Sequence, residues 1–160
     1  MKKNSSIFWL YSAITFLIIF FFRIHLGILP GDEMVAVNFG IVHKSCWLIF
    51  LNVYLIAYDL ISILLARTKM EMVEDFLVIR KITILHRFTI FWKNLLIYLV
   101  PFLIIHLSFF NKQNFLLSSI LLFVWLVILL ILAVCPFKRL NQYIRATIIL
   151  IILLILRILV

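Results

Sequence analysis

Asp59 stands inside a long apolar run, with Asn52 and Ser62 at the i, i+7 and i+3 spacings that put all three on one face of a helix. An ionised carboxylate at the centre of a bilayer costs about 2.5–3.5 kcal/mol even on the most lenient scale, so it must be paired, hydrated or protonated. Two kinds of chemistry fit such a face: a path for a polar substrate, or a site that takes up a proton. An internal hydrogen bond to a Tyr, Trp or Ser of a neighbouring helix, or partial snorkelling, accounts for the same residues.

The other polar residues offer less. His106 and Arg157 fall near the ends of apolar runs, where polar tips reach interfacial water. His25, His43 and His86 are scattered along the chain, which does not suit a metal centre. The pair Glu74-Asp75 is of the type that intramembrane CAAX proteases use, but the spacing to Arg80 is wrong and no histidine partners follow. No serine sits in a nucleophile elbow, and there is no Gly-x-x-x-x-Gly-Lys-Ser/Thr phosphate loop, so any ATP hydrolysis would belong to a partner. An enzyme, a cofactor and a bound metal are therefore not expected.

The elements that position Asp59 follow from hydropathy. Hydrophobic residues make up 67% of the 160 and charged residues 13%, and the mean hydropathy is +1.28. An ordinary aqueous domain is about half apolar and about a quarter charged, so the solvent here is lipid. Five continuous apolar stretches, about residues 7–22, 46–66, 94–110, 115–137 and 146–160, approach the roughly 20 residues a crossing helix needs. Continuity rather than alternation favours helices over barrel strands. The expected fold is all-α: a polytopic transmembrane helix bundle forming one domain, with five spans and a cytoplasmic amphipathic segment over 67–93.

The net charge of +9 would point to nucleic acid in a soluble protein, but here the distribution matters more than the sum, and no nucleic acid is expected. With a cytoplasmic N-terminus, Lys2, Lys3, Arg67, Lys69, Arg80, Lys81, Arg87, Lys93, Lys138, Arg139 and Arg145 lie inside, against Arg23, Lys44 and Lys112 outside. That bias fits a multi-pass protein of the cell membrane with its N-terminus in the cytoplasm. The first span reads as an uncleaved signal anchor, because Phe-Arg-Ile-His-Leu-Gly follows it in place of a small-residue cleavage site. Cys46 and Cys135 fall at opposite faces and are not expected to pair. Residues 23–45 form an external loop with a half-buried or re-entrant piece over Val35 to Val42, too short to span. Abundant Ile, Phe, Lys and Asn with little Ala or Gly associates the composition with low-GC bacteria.

The segment from Arg67 to Lys93 is too long for a turn. Glu71, Glu74 and Asp75 come first and Arg80, Lys81, Arg87 and Lys93 follow, an order that complements a helix dipole. Apolar Val73, Phe76, Leu77, Ile84, Leu85, Phe88 and Trp92 recur at helical intervals, with a phase slip near Arg80-Lys81. Two short amphipathic helices or one bent helix along the inner surface are expected. Such a helix would be drawn to anionic lipid at about 1 kcal/mol per well-placed cation, although its acidic head favours a basic protein partner.

Glu74-Asp75-Phe76-Leu77-Val78-Ile79-Arg80-Lys81, then Arg87-Phe88 and Trp92-Lys93-Asn94, resembles the link between the second and third spans of the membrane subunits of bacterial ABC-2 type ABC transporters, particularly small exporters of bacteriocins and other peptides. The resemblance covers about a sixth of the chain and rests on a degenerate motif, and family members are usually longer with one more span. It implies that this link couples to a cytoplasmic ABC ATPase subunit, with Glu74, Asp75, Phe76, Arg80, Lys81 and Arg87 at the contact. The implied function is the transmembrane subunit of an ATP-driven exporter of a peptide or amphiphile, assembled with other membrane subunits or with copies of itself. The alternative is a non-transporting membrane accessory or bacteriocin-immunity protein that binds another membrane protein.

Overall fold

The computed structural model describes residues 2–25, 31–42, 45–79, 83–110, 112–134 and 141–159. Their secondary structure is helical throughout: α1 Lys2–His25, α2 Gly31–Phe39, α3 Cys46–Ile79, α4 Ile84–Leu107, α5 Phe115–Val134 and α6 Gln142–Leu159, with a 3-10 turn at Lys112–Asn114 before α5. Four stretches are long and apolar enough to cross a membrane: Ser6–Ile24, Cys46–Phe76, His86–Leu107 and Phe115–Ala133. The chain is thus a multi-pass helical membrane bundle in contact with lipid. The fifth expected span lies in α6, 18 residues long with Arg145 and Arg157 on it.

α3 is the central post, packed against α4, α5, α6 and α2, while α1 lies against α4. Its start is capped by Ser45, whose Oγ accepts from the Leu48 amide at 3.3 Å. The α1 contact with α3 is fixed by two hydroxyl pairs. Ser12 donates its only proton to the Phe8 carbonyl, so Tyr58, 3.1 Å away, must be the donor to Ser12. Thr15 likewise donates to Tyr11, and Tyr54 donates to Thr15 at 2.9 Å. Phe8 closes the seam between the rings of Tyr58 and Tyr98.

The outward faces keep Leu, Ile and Phe exposed, among them Leu10, Leu17, Phe50, Leu116 and Phe123. An aqueous fold would bury these side chains; here lipid takes them. Pro101, inside α4, removes one backbone hydrogen bond from that helix. Beside it an apolar cavity of about 340 Å³ opens between α1 and α4, lined by Trp9, Phe16, Leu17, Pro101 and Ile104.

The segment over 67–93 differs from the expected surface helix. With 34 residues, α3 is about 51 Å long, well beyond a hydrocarbon core of about 30 Å, and it carries residues 67–79 as its own last turns. Residues 84–93 are the first turns of α4. The expected slip at Arg80-Lys81 lies outside the described residues. Arg67 does not end the helix because its charge is absorbed locally: Nη1 donates to the Leu132 carbonyl at 3.2 Å and Nε to Glu71 at 3.1 Å. Glu71 also accepts from Arg145 at 2.6 Å, which ties α3 to α6 and the end of α5. A cation at the C-terminal turn of α5 suits its dipole.

Candidate functional site: a buried polar cluster at the seat of a short helix

α2 carries Asp32 and Glu33 in its first turn, where acids suit the positive end of a helix dipole. Nine residues give about 13 Å of helix, far too little to cross. Yet Met34, Val35, Val37, Asn38, Phe39 and Val42 are buried, so α2 packs into the bundle and is more enclosed than the half-buried segment expected from sequence. Its entry is held by Asn114, which donates to Asp32 at 2.6 Å. At the same end Arg23 of α1 donates to the Ser108 carbonyl that caps α4.

A helix end inside the bundle leaves carbonyls without partners unless side chains supply donors. Asn52 does so for α2, donating to Val37 and Gly40 at 2.9 Å each. Arg157 of α6 adds a second donor, its Nη1 lying 3.4 Å from both of the same carbonyls. The other arm of that guanidinium, Nη2, donates to Asp59 Oδ2 at 2.8 Å. Asp59 is fully buried and collects further donors: Trp125 Nε1 reaches Oδ2 at 3.3 Å, and His106 Nε2 lies 3.0 Å from Oδ1. The circuit closes through α2, since His106 Nδ1 meets Asn38 Oδ1 at 2.6 Å while Asn38 Nδ2 donates to the His106 carbonyl at 3.1 Å.

Aromatic rings shield the cluster. Phe39 stacks on His106 at 5.6 Å and Phe102 lies 4.2 Å from the same ring. The Arg157 guanidinium stands 5.8 Å from the Trp125 ring, within cation–π range. Its Nε has no acceptor among the described residues. Around Asp59 the packing of Ile63, Phe102, Trp125, Leu129 and Leu153 leaves no volume for a water. In a medium of low dielectric an unpaired ion would be prohibitive, so the carboxylate and the guanidinium neutralise each other where neither could stand alone.

Of the polar face expected from sequence, Asn52 and Asp59 join this network. Ser62 is buried but back-bonds to the Tyr58 carbonyl of its own helix at 2.7 Å. His106 and Arg157 correct the expectation of interfacial tips: they are 0% and 1% exposed, and both side chains contact the Asp59 carboxyl. Helix ends marked as shallow in the sequence lie deep because α2 covers them. Asn38 and Trp125 were not singled out by sequence either: the demand of Asp59 for donors is a signal for Trp125, whereas Asn38 is met through His106.

The residues singled out for coupling lie at the opposite end. Glu74, Asp75 and Phe76 are exposed on the last turns of α3, and Arg87 is half-buried on the first turns of α4. Phe88 and Trp92 make an edge contact beside Arg87. Arg80 and Lys81 lie outside the described residues. Among the described residues no group of His, Cys, Asp and Glu is arranged to hold a metal ion. Cys46 is a free, exposed thiol; Cys135 lies outside the described residues. Comparison of this chain with protein-family models, with curated proteins and with solved structures gives no match.

Proposed function

We propose that the chain is a membrane subunit of an ATP-driven exporter of a peptide or an amphiphile, lying in the cell membrane with its N-terminus in the cytoplasm and docking on a separate ATPase subunit through the paired ends of α3 and α4. The observation that carries this reading is the length of α3. At about 51 Å it outruns the thickness of a bilayer, and its last turns carry Glu74, Asp75 and Phe76 exposed while the first turns of α4 carry Arg87, Phe88 and Trp92. Charges of both signs next to exposed aromatics suit a protein partner better than a lipid surface. Two rigid helices joined by a short link also transmit a push better than a loop does. Lys69, Arg87, Lys93 and Arg145 lie toward this end, which by the positive-inside rule is the cytoplasmic one.

One observation favours a second reading, a non-transporting accessory or immunity protein. The space around Asp59 leaves no room for a water among the described residues, which does not suit a polar path past that side chain. Under the exporter reading the cargo moves along outer faces between subunits, and the apolar cavity between α1 and α4 suits an amphiphile. Affinity purification of the tagged chain from detergent-solubilised membranes, followed by mass spectrometry and an ATPase assay, separates the two. The exporter reading expects a stoichiometric nucleotide-binding subunit that is lost in Glu74→Lys/Asp75→Lys. Equal recovery after that charge reversal refutes the coupling surface, and recovery of a membrane protein without any ATPase supports the second reading.

A further inference from the structure

We propose that Asp59 and His106 together bind one proton, and that this proton locks α2 into the bundle. The argument is a count of donors and acceptors. Asn38 Nδ2 donates to the His106 backbone carbonyl, which turns its Oδ1 toward His106 Nδ1 at 2.6 Å. An amide oxygen only accepts, so Nδ1 carries a hydrogen. The other ring nitrogen, Nε2, faces Asp59 Oδ1 at 3.0 Å. If the ring were neutral and the carboxyl ionised, two lone pairs would meet there. The closed arrangement therefore holds a proton between them, as imidazolium with carboxylate or as imidazole with carboxylic acid. Both forms have the same net charge.

Among the described residues the groups around this pair assign that proton to it. Facing His106 are Asp59 from α3, Asn38 and Phe39 from α2, and Phe102 from its own helix. Beyond Asp59 stand the Trp125 indole of α5 and the Arg157 guanidinium of α6. Arginine stays charged and the indole only donates, so the titration belongs to the Asp59–His106 axis. Once the proton leaves, either tautomer of the neutral ring breaks one contact. A hydrogen on Nε2 keeps the charge-assisted bond to Asp59, the stronger of the two, and turns a bare Nδ1 toward Asn38 Oδ1. The Asn38 Oδ1 contact is the one given up, and α2 is then held to α4 more weakly, by the Asn38 Nδ2 bond to the His106 carbonyl and the Phe39 ring contact. The lock is present at low pH and is lost as pH rises through the titration of the pair.

The test uses the full chain in lipid nanodiscs with nitrogen-15-labelled histidine, the His106 signals being those missing in His106→Gln. Expected are an imidazolium at His106, or a neutral ring accompanied by the infrared band of a protonated carboxyl absent in Asp59→Asn, either disappearing in one single-proton step as pH rises. A second readout is thiol labelling of Val35→Cys, on α2, with Cys46 and Cys135 changed to Ser. Asn at position 59 donates to a neutral ring and still accepts from Arg157 and Trp125, so it keeps the lock without a proton to lose. The labelling rate of the chain with Asp59, divided by that with Asn at 59, is expected to rise about tenfold across the step, the scale of one buried hydrogen bond. Comparing the two at equal pH cancels ionisation of the thiol itself. A neutral His106 against an ionised Asp59 with Val35→Cys still protected overturns the proposal, as does a pH-independent labelling ratio. Should Asp59→Asn not fold, the histidine spectrum still tests the shared proton, since a neutral ring carries its hydrogen on Nδ1 while the proton is held and on Nε2 once it has left, and a hydrogen on Nε2 at every pH overturns the proposal.

Discussion

Asp59 meets two basic side chains, His106 and Arg157, whereas among the described residues Arg157 meets one carboxyl group, and this asymmetry predicts the sign of a double-mutant cycle. Asp59→Leu leaves a fully buried guanidinium with two carbonyls at 3.4 Å and the Trp125 ring but no counter-charge among the described residues. Removing one partner of a buried ion pair costs about 3–5 kcal/mol. Arg157→Met is milder, because Asp59 and His106 remain as a pair without net charge. What it leaves behind is a carboxylate short of one donor, at about 1–3 kcal/mol. In the Asp59→Leu background Arg157→Met removes an uncompensated charge, so the double variant should be no less stable than Asp59→Leu alone, which with a cost of about 1–3 kcal/mol for Arg157→Met by itself makes a coupling of about that size. Reversible unfolding in mixed micelles by added sodium dodecyl sulfate, followed by circular dichroism, measures all three variants. If Arg157→Met costs as much as Asp59→Leu, or if the two effects add, the charge argument is wrong.

Other substitutions probe the remaining joints. Asn52→Leu strips the donor from the Val37 and Gly40 carbonyls and should cost about 1–3 kcal/mol in the same unfolding assay, with earlier proteolysis near α2. Tyr58→Phe removes the donor to Ser12 at about 0.5–1.5 kcal/mol; Ser12→Ala added to it should change little more, and additivity would show that the pair is not coupled. Glu71→Gln weakens the clamp with Arg67 and Arg145, a half-exposed site worth about 1 kcal/mol at most, and the loss should shrink in high salt.

Much of the architecture was legible because long apolar runs admit few solutions. A run from Cys46 to Ala66 in lipid has to be a helix, and Asp59 inside it has to find partners. The partners themselves were missed for a reason of geometry. Depth was read from position along a helix, which placed His106 and Arg157 at the water boundary, but α2 folds back over both and buries them. Charge neutrality was the available signal, since a buried carboxylate calls for a cation and these two lay in apolar runs. The extent of α3 was hidden in a similar way. Arg67, Lys69 and Glu71 mark a polar exit in the sequence, whereas the helix runs on to Ile79 with Arg67 satisfied by Leu132 and Glu71. Asn52 and Asp59 shared a face as their spacing required; Ser62 shared it too but spends its hydroxyl on its own helix.

The contact between Arg157 and the Val37 carbonyl joins residues 120 positions apart. At a synthesis rate of about 5–20 residues per second, α2 emerges some 6–24 s before the side chain that fastens it. In the growing chain its last carbonyls have Asn52 to rely on and no guanidinium. Closure over these carbonyls therefore waits for α6, and until it arrives α2 rests on Asn52, on the Asn38–His106 contacts and on Asn114.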